Sequence, residues 1–205
     1  MSAVVELSAS EVRALREKTG AGMMDCKKAL LETGGDVEKA VEHLRKKGIL
    51  AAEKKIGREA KQGAVTSYIH AGGKIGVLVE INCETDFVAR NETFQTFSRD
   101  VAMHIAAANP RYLDRAAVPE DVIAKEREIF ADQAKQSGKP EAVIAKITDG
   151  KIEKFYGEVC LLEQSFIKNP DITIGAYLKD MISKLGENMM ISRFTRFELG
   201  RADAK

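Results

Sequence analysis

The sequence predicts an α+β protein, in which three short helices precede a larger region of strands and helices. Two observations indicate this class. Helical spacing of apolar residues recurs between Ser8 and Gly48, whereas strand-like patterns are confined to residues 63–82 and 189–199. Because the strands lie at both ends of the larger region and helices fill the interval, we expect a small antiparallel sheet packed against helices.

Capping and turn residues divide the first part of the chain into three short helices. Ser8 and Glu11 have the spacing of a capping box, which typically starts a helix. Glycines in the segment 19–22 separate the first helix from the second, since glycine favours caps and turns. Asp36 is the predicted N-cap of a third helix, and Gly48 is predicted to end it. Helices of this size enclose only a small core, so we expect some apolar side chains to remain at the surface.

A β-hairpin opens the second part of the chain. The β-forming residues at 63–70 and the alternating run at 75–82 flank a glycine-rich turn at 71–74. Asn91 is the predicted cap of the helix that follows, and the Asn-Pro pair at 109–110 ends that helix.

The rest of the second part is predicted to be helical up to a last strand. Pro119 opens a helix that carries Ile129 and Phe130 on its inward face. The Gly-Lys-Pro segment 138–140 breaks it. We expect further helices at 141–148, 151–163 and 174–185, and a last strand at 189–199.

Length and composition limit the classes of protein to which the chain can belong. Its 205 residues are 44% hydrophobic, enough for one large domain or two small ones. Thirty-two basic residues against thirty-one acidic ones give a net charge of +1, which argues against a chain built mainly to neutralise phosphates. The sequence has no apolar run of transmembrane length and no secretory signal, so we expect a cytoplasmic protein with no membrane partner. Three widely spaced cysteines favour reduced thiols.

No catalytic or cofactor site is recognisable in the sequence. The glycines of segment 72–76 lie between two predicted strands, so a hairpin turn explains them better than a phosphate-binding loop. His43, His70 and His104 are far apart and fit no metal-binding spacing. Cys26 lies on an apolar helical stripe and is interpreted as a small buried residue. We therefore expect no enzyme chemistry, no metal ion and no cofactor.

Two adjacent methionines, Met23 and Met24, begin the second helix and have two interpretations. Most apolar side chains pack internally, which favours core residues. Adjacent helical residues, however, cannot both point into one core, and flexible methionines adapt well to partner surfaces. The pair is therefore either part of the core or a contact for a partner.

The segment formed by Thr85, Asp86 and Phe87 lies between a predicted strand and a helix start, and it also has two interpretations. In the first, Phe87 closes the core at this corner while Asp86 binds local backbone N–H groups. In the second, the corner presents a carboxylate and an aromatic ring to a partner, a composition typical of interface hot spots.

Two long motifs resemble the signatures of a known family. Residues 19–30 read Thr-Gly-Ala-Gly-Met-Met-Asp-Cys-Lys-Lys-Ala-Leu, and residues 85–91 read Thr-Asp-Phe-Val-Ala-Arg-Asn. Both are similar to the two signatures of the elongation factor Ts family, in the same order and spacing. Shorter matches occur at 103–107, 138–140, 154–155 and 193–198, so the resemblance spans essentially the whole chain.

The resemblance implies a guanine-nucleotide exchange factor for the translational GTPase elongation factor Tu. Such a protein binds Tu in its GDP-bound and nucleotide-free states and performs no bond-making chemistry of its own. No cofactor, metal ion or direct nucleic-acid contact is implied.

The family also implies which residues touch Tu. Its N-terminal module is similar to a ubiquitin-associated three-helix fold that packs on the GTPase domain, here through Met23 and Met24 with Arg16 nearby. The corner of residues 85–88 wedges into the GTPase domain near the Mg²⁺ and phosphate site. The implied contact residues are therefore Arg16, Met23, Met24, Thr85, Asp86, Phe87 and Val88, together with His70 of the hairpin, which contacts another domain of Tu.

The implied organisation is that of the short form of the family. Residues 1–54 correspond to the ubiquitin-associated-like module, 55–62 to a basic linker, and 63–205 to an α+β core for dimerisation and exchange. The short form is implied to make homodimers by joining sheets, and an open sheet edge at Met189–Leu199 suits that pairing. Ser165 stands where the family commonly has proline.

Two other functions compete with the exchange factor. Seven basic residues between Arg45 and Lys61 face only two acidic ones, which indicates either a solvated helical linker or an RNA or ribosome contact. No interleaved aromatic residues support stacking on bases. The alternative to the exchange factor is thus an RNA- or ribosome-associated protein that uses segment 45–61. An enzyme with an unrecognised site is the third hypothesis.

Overall fold

The computed structural model describes residues 7–136 and 140–201 and confirms the predicted α+β class. Eight α-helices and five strands lie in these ranges, with short 3-10 turns at Arg115–Ala117 and Leu161–Glu163. The helices are α1 (Ala9–Thr19), α2 (Met23–Glu32), α3 (Val37–Glu53), α4 (Asp86–Ala89), α5 (Glu92–Ala108), α6 (Glu120–Lys135), α7 (Glu141–Val159) and α8 (Ile174–Leu185). The strands are β1 (Gln62–Ile69), β2 (Ile75–Cys83), β3 (Ser165–Phe166), β4 (Asn169–Thr173) and β5 (Met189–Glu198).

The first three helices begin where their caps predict. Ser8 and Glu11 form a reciprocal capping box, in which each backbone N–H donates to the other side chain, at 2.8 Å and 3.2 Å. Asp36 Oδ1 accepts the Lys39 N–H at 3.0 Å and caps α3. A small core joins the three helices and contains Val12, Leu15, Cys26, Ala29, Leu30, Ala40 and Leu44.

A three-stranded antiparallel sheet forms the centre of the larger region. Its strand order is β1-β2-β5, which confirms the hairpin and the last strand predicted from the sequence. Val77, Val79 and Ile81 alternate along β2 and are buried with Phe94 and Phe97 of α5. The main core therefore lies between the sheet and the helices that cover one of its faces.

The third helix passes the glycine that was predicted to end it. Gly48 lies inside α3, and a Cβ atom built on it would be 2.9 Å from Ser183 Oγ on α8. The missing side chain thus allows α3 and α8 to approach closely, which explains the glycine without a helix end. Because Leu44 belongs to the small core and Ala52 to the main core, α3 connects the two cores.

The region between α5 and α8 also differs from the predicted elements. Residues 141–159 form one helix rather than two, since Thr148, Ile152 and Phe155 continue a single buried face past Gly150. Packing along this face outweighs the cost of about 1 kcal/mol that glycine imposes on a helix interior. The helix predicted to run to residue 163 gives way to the Leu161–Glu163 turn, and the short β3–β4 hairpin was not predicted.

Pro119 is the N-cap of α6, as predicted, but one inward residue of that helix was wrongly assigned. Ile129 is exposed on α6, whereas Phe130 is half-buried. Of the predicted break at 138–140, only Pro140 lies within the described residues, and it is the N-cap of α7.

Candidate partner-binding surfaces

A tight corner follows the central strand. β2 ends at Cys83, and Thr85 then caps α4, its Oγ1 accepting the Val88 N–H at 3.4 Å. At the other end of α4, Ala89 is buried and its carbonyl accepts a hydrogen bond from Gln95 Nε2 at 2.6 Å. Side-chain bonds and a buried alanine therefore fix both ends of this four-residue helix.

Phe87 projects from the corner into solvent. Its side chain is 81% exposed, so the interpretation of Phe87 as a core residue is wrong. Asp86 beside it is half-buried and pairs with Arg90, at 3.0 Å between Oδ2 and Nη2. Val88 packs against the main core on the opposite side. The corner thus presents an aromatic ring and a carboxylate on a firmly anchored base.

The corner is tied to the segment between α8 and β5. Thr85 donates twice to the Glu187 carboxylate, from Oγ1 to Oε1 at 2.6 Å and from its backbone N–H to Oε2 at 3.0 Å. In the reverse direction, the Asn188 N–H donates to Glu84 Oε1 at 2.6 Å, and Asn188 Nδ2 donates to the Arg58 carbonyl at 2.7 Å. We call residues 84–85 and 187–188 the corner clamp.

A thiol lies directly behind the corner. Cys83 is buried, and its Sγ donates to the Thr85 carbonyl at 3.1 Å. Burial, together with the nearby negative charge of Glu187, raises the pKa of the Cys83 thiol to about 11. The thiol therefore stays protonated at neutral pH and serves as a small packing group rather than a nucleophile.

A second exposed apolar surface lies on α2. Met23 is 41% exposed, Met24 76% and Leu31 51%, so the interpretation of the two methionines as core residues is wrong. We call these three residues the α2 surface. Leu31, which was not singled out in the sequence, follows Met24 by seven residues and therefore shares its helix face. Met24 and Leu31 line a shallow depression of about 440 Å³ together with Lys27 and Lys28.

Comparisons with known proteins agree with this arrangement of motifs. Residues 6–201 match the family model described as Elongation factor TS. A protein named Elongation factor Ts from Geobacter sulfurreducens is 59% identical over 196 residues, which cover 96% of this chain and 91% of that protein. The chain belongs to the elongation factor Ts family.

Another member, from Carboxydothermus hydrogenoformans, is 60% identical over 199 residues, which cover 97% of this chain and 92% of that protein. Membership of the elongation factor Ts family makes the chain a translation elongation factor with a part in protein biosynthesis.

Two further residues that the resemblance to elongation factor Ts selected are exposed. Arg16 lies on the outer side of α1, and His70 lies at the turn between β1 and β2. The Tyr68 hydroxyl is 3.1 Å from His70 Nδ1, which orients the imidazole ring at the end of the hairpin. Their contacts with a partner stay a prediction.

Several cations of the basic segment 45–61 form ion pairs with acidic side chains of the same protein. Lys46 pairs with Glu42 at 2.7 Å, and Lys47 pairs with Asp25 at 2.6 Å. Lys61 and Arg58 also have carboxylate partners. Because four of the seven cations are paired within the protein, the segment offers fewer free charges to a phosphate backbone.

The remaining candidate chemistry is dispersed or buried. Within residues 7–136 and 140–201, no group of three His, Cys, Asp or Glu side chains is placed to hold a metal ion. His104 is buried with Nε2 3.0 Å from Gln164 Oε1, and burial lowers its pKa. Among the helices of the described part of the chain, none is long and apolar enough to cross a membrane.

Proposed function

We propose that this elongation factor binds elongation factor Tu and accelerates the release of GDP, so that GTP can rebind. Phe87 and Asp86 enter the GTPase domain near its Mg²⁺ and phosphate site, while the α2 surface docks on the same domain. The observation that carries this proposal is the 81% exposure of Phe87 on an anchored corner. The factor makes and breaks no covalent bond.

The physical basis is a linkage between two binding events. A factor that weakens GDP binding to Tu must itself bind GDP-bound Tu more weakly, by the same ratio. Phe87 acts only if it fits the nucleotide-free state better than the GDP-bound state. Mg²⁺ balances much of the phosphate charge, so displacing the residues around it loosens GDP.

The α2 surface suits the docking part of this proposal. Met24 and Leu31 share one exposed face with Lys27 and Lys28, and Met23 is exposed at the start of the same helix. Methionine side chains adjust to the shape of a partner and bury a large apolar area. We assign affinity chiefly to this surface and acceleration chiefly to the corner.

We also propose that the factor is a homodimer joined through its sheet. β5 lies at one edge of the three-stranded sheet, where a strand of a second copy can pair with it. The register places Ile69, Gly76 and Phe197 in one row on the sheet face opposite the core, with Leu78 two residues further along β2. Ile69 is 65% exposed and Phe197 56%, so a second copy has apolar area to cover.

The first experiment measures release of a fluorescent GDP analogue from purified Tu of the same organism, with substoichiometric factor. We expect a large acceleration by the wild-type factor. Phe87→Ala lowers the acceleration about 30-fold, the ~2 kcal/mol typical of an aromatic hot spot. Ile129→Ala, an exposed apolar residue on α6, is the matched control and leaves the rate unchanged.

Two outcomes would contradict these proposals. Unchanged exchange with folded Phe87→Ala removes the corner from the mechanism. Sedimentation of the wild-type factor at the monomer mass of 22.5 kDa over a wide concentration range excludes the homodimer.

A further inference from the structure

The exposed ring of Phe87 is held in place by a residue that is distant in sequence. Glu187 follows α8, and its carboxylate receives both hydrogen bonds from Thr85 across a separation of 102 residues. Hydrogen bonds to a charged acceptor are shorter and stronger than those between neutral groups. We propose that Glu187 is the positioning residue that sets the orientation of the Phe87 corner for nucleotide release, an inference that rests on the proposed function.

The backbone of the corner bonds directly to Glu187. The ladder of β2 ends at Cys83, which pairs with Gln62 on one side and Met189 on the other. Thr85 therefore lies beyond the sheet, and its N–H points to Glu187 rather than to a neighbouring strand. A partly buried backbone donor without a partner is costly, so this bond determines the direction in which the chain leaves the sheet.

The hydroxyl of Thr85 connects Glu187 to the start of α4. Its proton is directed to Glu187 Oε1 at 2.6 Å, which leaves an oxygen lone pair free to accept the Val88 N–H at 3.4 Å. Glu187 thereby orients the cap of α4 through Thr85, without touching α4 through any bond of its own in the part of the chain described. Phe87 lies between the capping residue and the capped N–H, so its direction depends on this relay.

Glu187 is itself held in place by its two neighbours in the chain. Gly186 ends α8 in the left-handed conformation, with φ 79°, which turns the chain toward the corner. Asn188 is buried and fixed by Glu84 Oε1 and the Arg58 carbonyl. The carboxylate of Glu187 is thus presented from a constrained position, as a positioning group requires.

A tryptophan reporter on the corner tests this assignment. The sequence contains no tryptophan and four tyrosines, so Phe87→Trp places a single tryptophan at the tip of the corner, which is excited selectively at wavelengths that tyrosine does not absorb. In this background we compare Glu187→Ala, Glu187→Gln and the control Glu153→Ala. Glu153 is matched because its carboxylate also accepts two hydrogen bonds, from Arg115 Nη1 and Nη2 at 2.9 Å and 2.7 Å, away from the corner.

We expect Glu187→Ala to lower the fluorescence anisotropy of the introduced tryptophan, because the corner gains motion when both bonds to Thr85 are lost. Glu187→Gln keeps an oxygen acceptor, so its anisotropy lies closer to that of the parent protein. Glu153→Ala leaves the anisotropy unchanged. Equal anisotropy in all four proteins would overturn the assignment, and this measurement needs no Tu.

The second readout is a double-mutant cycle on GDP release. Alone, Glu187→Ala lowers the maximal rate of release from Tu about tenfold, as expected when a reacting element is misplaced. In a Phe87→Ala background it has no further effect, since there is no ring left to orient. The affinity for Tu through the α2 surface is retained. Additive losses in the cycle would indicate a merely structural role and overturn the positioning assignment.

The two proposals fail in different ways. If the wild-type factor does not accelerate GDP release, the proposed function is wrong, and the anisotropy comparison still decides whether Glu187 orients the corner. If exchange depends on Phe87 but not on Glu187, the function stands and the positioning assignment is wrong.

Discussion

The Phe87 corner and the α2 surface both expose apolar side chains, but the protein holds them in different ways. The corner carries one rigid ring on a helix of four residues, tied at Thr85 to Glu187. The α2 surface carries flexible side chains on a longer helix. This helix packs on the small three-helix core, which contains seven buried residues of the described part of the chain.

The two surfaces therefore suit different tasks, one that depends on the position of a single ring and one that depends on exposed apolar area. A wedge must hold one ring in one direction, which requires contacts from distant parts of the fold. A docking patch needs exposed apolar area that adapts to a partner, which a small helical module provides. The comparison predicts that the corner controls rate and the α2 surface controls affinity.

The largest expected effect is a loss in the free energy of unfolding when a leucine in the small core or in the main core is shortened. Leu30 in the small core and Leu161 in the main core are both fully buried. Leu30→Ala and Leu161→Ala should each cost about 2–5 kcal/mol of the free energy of unfolding. In urea titrations followed by circular dichroism, we expect Leu30→Ala to shift an early helical transition and Leu161→Ala the main one. If both variants shift a single coincident transition, the chain is one cooperative unit.

The next effect separates affinity from rate. Met23→Ala combined with Met24→Ala removes most of the α2 surface and should weaken Tu binding about 30-fold, the ~2 kcal/mol of a hot spot. The maximal rate of GDP release at saturating factor is retained, because the corner is intact. Titration calorimetry and stopped-flow release measure the two quantities. A loss of maximal rate with unchanged affinity would reverse the assignment of the surfaces.

A smaller effect tests the cap of the corner. Thr85→Val keeps the shape of the side chain but removes the hydroxyl that caps α4 and donates to Glu187. We expect a loss of about 1 kcal/mol in the free energy of unfolding and slower GDP release. Thr85→Ser restores the hydroxyl and is the control. Equal behaviour of the two variants would show that the hydroxyl has no part in the corner.

The smallest effect concerns the contact that joins the module to the core. Alanine in place of Gly48 gains up to about 1 kcal/mol of helix propensity, but its Cβ meets Ser183 Oγ at 2.9 Å. Gly48→Ala alone should therefore be neutral or destabilising. In a Ser183→Ala background the nearest side-chain atom is Cβ at 3.5 Å, an ordinary contact, and Gly48→Ala should stabilise the protein. Thermal unfolding of the four proteins measures this coupling.

The sequence by itself determined the elements whose signals are local. The capping box of Ser8 and Glu11, the cap at Asp36 and the alternation along β2 depend on residues within a few positions of each other, so they were readable without the fold. The family motifs also marked the corner and the α2 helix.

The tertiary structure alone decided what those elements face. Gly48 and Gly150 are internal to helices because α8 and a continuous buried face stabilise them, and neither contact is visible from neighbouring residues. Local patterns left the exposure of Met23, Met24 and Phe87 open, since burial depends on what packs above a side chain. Glu187 has no sequence signal that connects it to Thr85, because their hydrogen bonds span 102 residues and exist only after the sheet and α8 have assembled.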